Sequence, residues 1–134
     1  MKGTNPLTPL TDLASDFEQR LLAINPALVD FNYAGEAYDA VVILALAGEQ
    51  AKSTKGVDMA SAINGITKGG EKSTAFAACK AIITRGADID DDGVSGPLDF
   101  TPVGEPGSGS YGRLRRNAQN RIDDAATTFA KVDG

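Results

Sequence analysis

Residues 33–47 read YAGEAYDAVVILALA, and this stretch decides the fold. It predicts a helix over about residues 35–52, whose middle, residues 40–47, is apolar on every face. A helix of that kind needs cover on all sides. The elements around it must therefore either surround it or be completed by further structure.

Three more helices are predicted from apolar residues that recur at helical spacing. The first follows a candidate N-cap at Thr11, and another runs over about residues 58–66. The last begins at Ser73 or Thr74 and is closed by Gly86. The recurring apolar residues are Leu13, Phe17, Leu21 and Ile24, then Met59, Ile63 and Ile66, then Phe76, Cys79 and Ile83.

Short strands are predicted after Gly86, where the helical spacing stops. They cover residues 98–100, 110–115 and 127–132, and a further strand is an option over residues 28–33. Residues 1–11 and the acidic residues 87–96 are predicted to be loops.

Helices followed by short strands fit either an α+β domain or one piece of a larger α/β layer. The all-apolar second helix favours the α/β piece, because three amphipathic helices and a few short strands leave part of it uncovered. We therefore expect an α/β fragment of about four helices followed by short strands, with residues 1–134 forming a single segment.

The composition excludes several classes of function. The 134 residues include no histidine and one cysteine, so a Ser-His-Asp or Cys-His site and a multi-cysteine zinc site are not expected. The formal charge of -5 disfavours nucleic-acid binding, and the Arg113, Arg115 and Arg116 cluster is interpreted as a solvated edge. The chain as given carries no predicted signal peptide, and its apolar runs are too short to cross a bilayer.

Four blocks of the sequence resemble solute-binding proteins of the branched-chain amino-acid ABC-transporter family. Residues 33–40, YAGEAYDA, are similar to the family motif in which an aromatic and an acidic residue precede a Tyr-Asp-Ala step and a helix follows. The other blocks are residues 63–70 (INGITKGG), residues 93–100 (GVSGPLDF) and Tyr111-Gly112 with the closing strand. Together they cover nearly all of the chain and correspond to the last third of a family member.

The resemblance implies a periplasmic-binding-protein type I fold, in which two lobes close on a small ligand. The chain would be the C-terminal segment of an extracytoplasmic protein that delivers an amino acid or related compound to an ABC transporter permease. The resemblance places Tyr33, Ala34, Gly35 and Glu36 at the ligand. A helix N-terminus there would favour anionic ligand groups. The alternative is that Tyr33 is a half-buried aromatic at a strand end.

The acidic residues 88–99 offer a rival site. Asp88, Asp90 and Asp92, followed by Gly93 and by Asp99 at the twelfth position, nearly fit a calcium-binding loop. Asp replaces the usual Glu at the twelfth position, and Ser95 replaces the usual apolar residue. A calcium-binding interaction domain is therefore the alternative function, a solvated turn is the simpler interpretation, and calcium is the only candidate cofactor.

No enzyme is predicted, although carboxylate pairs such as Glu36 with Asp39 can carry out acid-base chemistry in a suitable cleft. Cys79 lies on an apolar helix face and is expected to be a buried, inert thiol. As an isolated fragment the chain is expected to form homo-oligomers, because the apolar second helix lacks partners.

Overall fold

The computed structural model describes residues 2–9 and 16–133. Within them the chain forms the helices α1 (Phe17–Ile24), α2 (Ala34–Ala51), α3 (Gly56–Ile66) and α4 (Phe76–Thr84). It also forms the strands β1 (Lys2–Pro6), β2 (Glu71–Ser73), β3 (Ile89–Asp91), β4 (Ser108–Arg115) and β5 (Thr128–Asp133). The fold is therefore mixed α/β, as predicted. No helix in this part of the chain is both long and apolar enough to span a membrane.

The strands form two separate sheets. In the larger sheet β4 lies between β1 and β5 and is antiparallel to both, with Lys2 opposite Arg115 and Arg113 opposite Thr128. The smaller sheet pairs β2 with β3 in parallel, with Glu71 opposite Ile89. The larger sheet forms one wall of the site described below, because alternate residues of β4, including Leu114, point to its inner face.

The main core lies between α2, α3 and α4. One face of α2 is buried there, and the loop after β3 adds Leu98 to the same cluster. The fully or nearly fully buried members are Leu46, Ala47, Ile66, Cys79, Ile82 and Ile89. A second, smaller cluster packs Phe17 of α1 against Val94, with the Phe17 and Tyr38 rings meeting edge to face at 5.4 Å between centroids.

The opposite face of α2 stays open to solvent. Val41 is 68% exposed and Leu44 is 50% exposed, although both belong to the apolar run. The cover that the sequence demands on all sides is thus present on one side only within the described residues.

Several expected boundaries hold and others are wrong. The second, third and fourth helices and the last two strands lie close to their predicted positions. The predicted strands over residues 28–33 and 98–100 are wrong: residues 28–31 and 98–100 have no regular structure, and residues 32–33 form a turn. Thr11 and Leu13 lie outside the described residues.

Three segments have more order than predicted. The opening residues form β1, because they pair with β4 more than a hundred residues later. Residues 71–73 form β2, so Ser73 lies in a strand, and the residue before α4 is Ala75, without a side-chain cap. The acidic loop contains β3, all three residues of which are buried.

Candidate functional site

The first turn of α2 borders a cavity of about 460 Å³. The cavity lies between the turn before α2, the inner face of the larger sheet and the residues after β1. Tyr33, Gly35 and Glu36 line it, whereas Ala34 packs toward the Phe17–Val94 cluster. Three of the four predicted ligand-binding residues therefore border one cavity.

Tyr33 is placed by a strained turn. It precedes α2 with φ 60°, in the left-handed region that a bulky residue rarely adopts. The Ala34 N–H donates to the Phe31 carbonyl oxygen at 3.0 Å, which closes the turn. The Tyr33 side chain is 50% exposed, and its hydroxyl donates to Asn5 Oδ1 at 3.4 Å. The ring is thus presented at the cavity and is not packed in the core.

Glu36 is held at the cavity by the segment after β1. The Thr8 hydroxyl donates to Glu36 Oε1 at 2.7 Å, which ties residues 28 positions apart. Leu7, on the same segment, packs over Gly112 of β4, where an added Cβ would lie 3.0 Å from a Leu7 methyl carbon. The opening segment therefore forms a wall of the cavity, and no local pattern predicts this because its partners are so distant in the chain.

Asp39 is buried one turn further along α2, and its carboxylate is already hydrogen-bonded within the chain. Its carboxylate accepts hydrogen bonds from the Val94 and Ser95 N–H groups, both at 2.8 Å, and from the Ser95 hydroxyl at 2.5 Å. A Cβ on Gly93 would lie 2.5 Å from Asp39 Oδ2, so residue 93 must be glycine for this contact to form. Asp39 therefore anchors the 93–95 loop to α2 and is not free to pair with Glu36 in acid-base chemistry.

The predicted calcium ligands are not gathered around one point. Asp90 Oδ2 and Asp92 Oδ1 lie 3.2 Å and 2.8 Å from Lys72 Nζ, which supplies the positive charge on that side of β3. Asp88 and Asp99 are exposed elsewhere on the segment. No group of three or more His, Cys, Asp or Glu side chains in residues 2–9 and 16–133 is arranged to hold a metal ion. The solvated-turn interpretation is wrong for residues 89–91, because they form the buried strand β3.

The other side of β3 carries a buried polar pair. The Cys79 thiol of α4 donates to Asp91 Oδ1 at 3.6 Å, and Asp91 Oδ2 has no hydrogen-bond partner among the described residues. Burial raises the pKa of Asp91, and the nearby charge of Asp39 adds to the rise, while the Gly93 N–H and the thiol act against it. Burial also raises the pKa of the Cys79 thiol, so the sulfur is neutral and poorly reactive at neutral pH.

Comparisons with protein-family models, with curated proteins and with solved structures give no match for this chain. Support for a function must therefore come from the motifs of the sequence and from the geometry of the cavity. The cavity concentrates the features of a ligand site, namely a concave shape, aromatic and aliphatic walls and a few polar groups.

Proposed function

We propose that this chain is the C-terminal segment of an extracytoplasmic solute-binding protein of the periplasmic-binding-protein type I class. Its role would be to help hold a small ligand, an amino acid or related compound, for delivery to an ABC transporter permease. The observation that carries the proposal is the cavity of about 460 Å³ beside Tyr33, Gly35 and Glu36. These residues belong to the block that resembles the ligand-contacting motif of that family.

The smaller sheet also supports the proposal that this chain is a segment of a larger α/β layer. A parallel sheet normally has several strands and is covered on both faces, whereas β2 and β3 form a parallel pair of three residues each. Beyond the pair, β3 makes one isolated bridge, between Asp90 and Thr67, and β2 has exposed Glu71 and Lys72. Further strands beside β2 would extend this pair into the larger parallel sheet of the proposed periplasmic-binding-protein type I fold.

The uncovered face of α2 fits the same proposal. Val41 and Leu44 are exposed although they lie in the most apolar stretch of the chain. In a two-lobed protein, a neighbouring helix or sheet from elsewhere in the chain would cover such a face. The proposal therefore accounts for an exposed apolar surface that an isolated domain has no reason to keep.

The test is isothermal titration of the full-length parent protein with leucine, isoleucine and valine, comparing the original sequence with Tyr33→Ala. We expect binding to weaken about tenfold or more, because the ring contributes aromatic contact at the cavity but little to the core. Tyr111→Ala is the matched control, since Tyr111 is similarly exposed and does not line this cavity.

Thermal unfolding of both variants separates binding from folding. Equal affinity in Tyr33→Ala and the original protein would remove Tyr33 from the site. No binding of any amino acid or related solute by the folded parent would refute the proposed function.

A further inference from the structure

The charge of the cavity beside α2 has a single sign. Three carboxylates line it, from Glu18 of α1, Asp30 of the turn before α2, and Glu36. Among the described residues, no lysine or arginine lines it. A concave surface with charges of one sign and apolar walls concentrates ligands of the opposite charge.

Three of the apolar side chains that line the same cavity are aromatic. Phe31, Tyr33 and Phe129 all line it, and Tyr33 and Phe129 are 50% and 43% exposed. Aromatic faces attract cations through the ring quadrupole. The aromatic residues and the carboxylates are thus two separate features that favour the same class of ligand.

The N-terminus of α2 acts in the opposite direction, but more weakly. Its dipole is equivalent to about half a positive charge. The N–H of Ala34 is taken by Phe31, and the carboxylate of Glu36 already lies in the first turn. An anionic ligand group would therefore meet about half a positive charge and three full negative charges. For an anionic ligand group, repulsion by the three carboxylates exceeds attraction by the helix N-terminus unless a cation binds with it.

We propose that the cavity beside α2 selects small organic cations that join an ammonium group to an apolar body, and that it rejects carboxylates lacking an ammonium group. The ammonium group would lie among Glu18, Asp30 and Glu36, with the apolar body against Phe31, Tyr33 and Phe129. This inference rests on the proposed function only in treating the cavity as part of a ligand site. It narrows the ligand class by charge.

Three probes with one apolar body and different charges test the inference: isopentylamine, L-leucine and 4-methylpentanoate. Every residue that lines the cavity as described above belongs to the 134-residue chain, so this chain is titrated by two-dimensional NMR, whose peak dispersion also reports folding. We expect isopentylamine to shift the amide signals of residues 30–36 and 129, with an affinity at least tenfold higher than that of 4-methylpentanoate.

Variants connect binding to the carboxylates. Glu36→Gln keeps an oxygen for the Thr8 hydroxyl and removes the charge, and together with Asp30→Asn it should weaken isopentylamine binding at least fivefold. Glu105→Gln removes an exposed charge that does not line the cavity and should leave binding unchanged.

The remaining outcomes separate this inference from the proposed function. Equal or tighter binding of 4-methylpentanoate, or no shift in these residues with any probe, overturns the inference. Tighter binding of leucine than of isopentylamine also overturns the inference, because a cation in the protein must then pair with the carboxylate of leucine. That result leaves the proposed function standing. Amine binding by this chain, with no solute bound by the parent, supports the inference and removes the proposed function.

Discussion

Replacing Asp39 by alanine should destabilise the chain more than any other single change to a carboxylate described above. The Asp39 carboxylate accepts three hydrogen bonds from residues 94 and 95 while it is only 2% exposed. Hydrogen bonds to a charged group contribute about 1.5–3 kcal/mol each, and a buried N–H left without an acceptor costs about 1–3 kcal/mol. Two N–H groups lose their acceptor, so we expect a loss of about 4 kcal/mol in the free energy of unfolding.

Smaller changes at the same contact should give graded losses. Ser95→Ala removes only the hydroxyl bond and should cost about 1 kcal/mol, whereas Asp39→Asn keeps one acceptor oxygen and should cost about 2 kcal/mol. Gly93→Ala places a methyl group 2.5 Å from the carboxylate at a φ of 66°, so it should be destabilising through both contact and backbone strain. Combining Gly93→Ala with Asp39→Ala should relieve the contact and leave the strain, so the two losses should be less than additive.

Urea unfolding followed by circular dichroism measures these differences, provided that the slope of the free energy against urea concentration is the same for all variants. Asp88→Ala is the matched control, because Asp88 is exposed and its side chain makes no hydrogen bond in the structure. A loss below 1 kcal/mol for Asp39→Ala, or full additivity with Gly93→Ala, would refute the view that this carboxylate anchors the loop.

Two further predictions concern the buried carboxyl and the open helix face. Because burial raises the pKa of Asp91 above its ordinary value of 3.8, its contribution to stability is fully present below pH 3.8 and is lost as pH rises through the higher, folded-state pKa. Asp91→Asn should therefore match the original chain near pH 3.5 and be more stable than it at pH 7, as measured by thermal unfolding across that range with Asp88→Asn as the control. An equal difference at both pH values would contradict the burial argument. The isolated chain should self-associate at micromolar concentration, as measured by size exclusion with light scattering. Leu44→Lys, on the open face of α2, should shift the chain toward monomer. Val103→Lys is the control, because it changes another exposed apolar side chain and should leave the association unchanged. A strictly monomeric chain at these concentrations would contradict the prediction, because the free-energy cost of exposing this face of α2 would then be too small to drive association.

The sequence predicted the helices and strands whose pattern depends only on residues close together in the chain. The all-apolar run located α2, and apolar residues at helical spacing located α3 and α4, because each pattern depends on neighbours within a few residues. Alternation at residues 98–100 predicted a strand that does not form. The second-helix motif also placed Tyr33, Gly35 and Glu36 at the same helix start, and the structure places all three at one cavity.

The remaining elements depend on distant partners. The Pro- and Thr-rich opening segment becomes β1 only because β4 supplies its hydrogen bonds. The acidic composition of residues 88–92 predicts a loop, but Lys72 pairs with Asp90 and Asp92, so Ile89 and Asp91 on the other face of the strand can be buried. Asp39 offered one local clue, because it lies directly before the all-apolar run of residues 40–47, and a charge there must be exposed or hydrogen-bonded.

The pairing of Lys2 with Arg115 has a consequence for the order of events during synthesis. β1 leaves the ribosome before its partner β4, which is translated more than a hundred residues later, and that interval is on the order of ten seconds at ordinary rates. The helices can pair locally in that interval, while the cavity wall built by the opening segment stays unformed. Contacts this far apart in the chain close slowly. A nascent chain therefore carries β1 unpaired until β4 has emerged, and during that interval chaperones and other nascent chains compete with β4 to bind it.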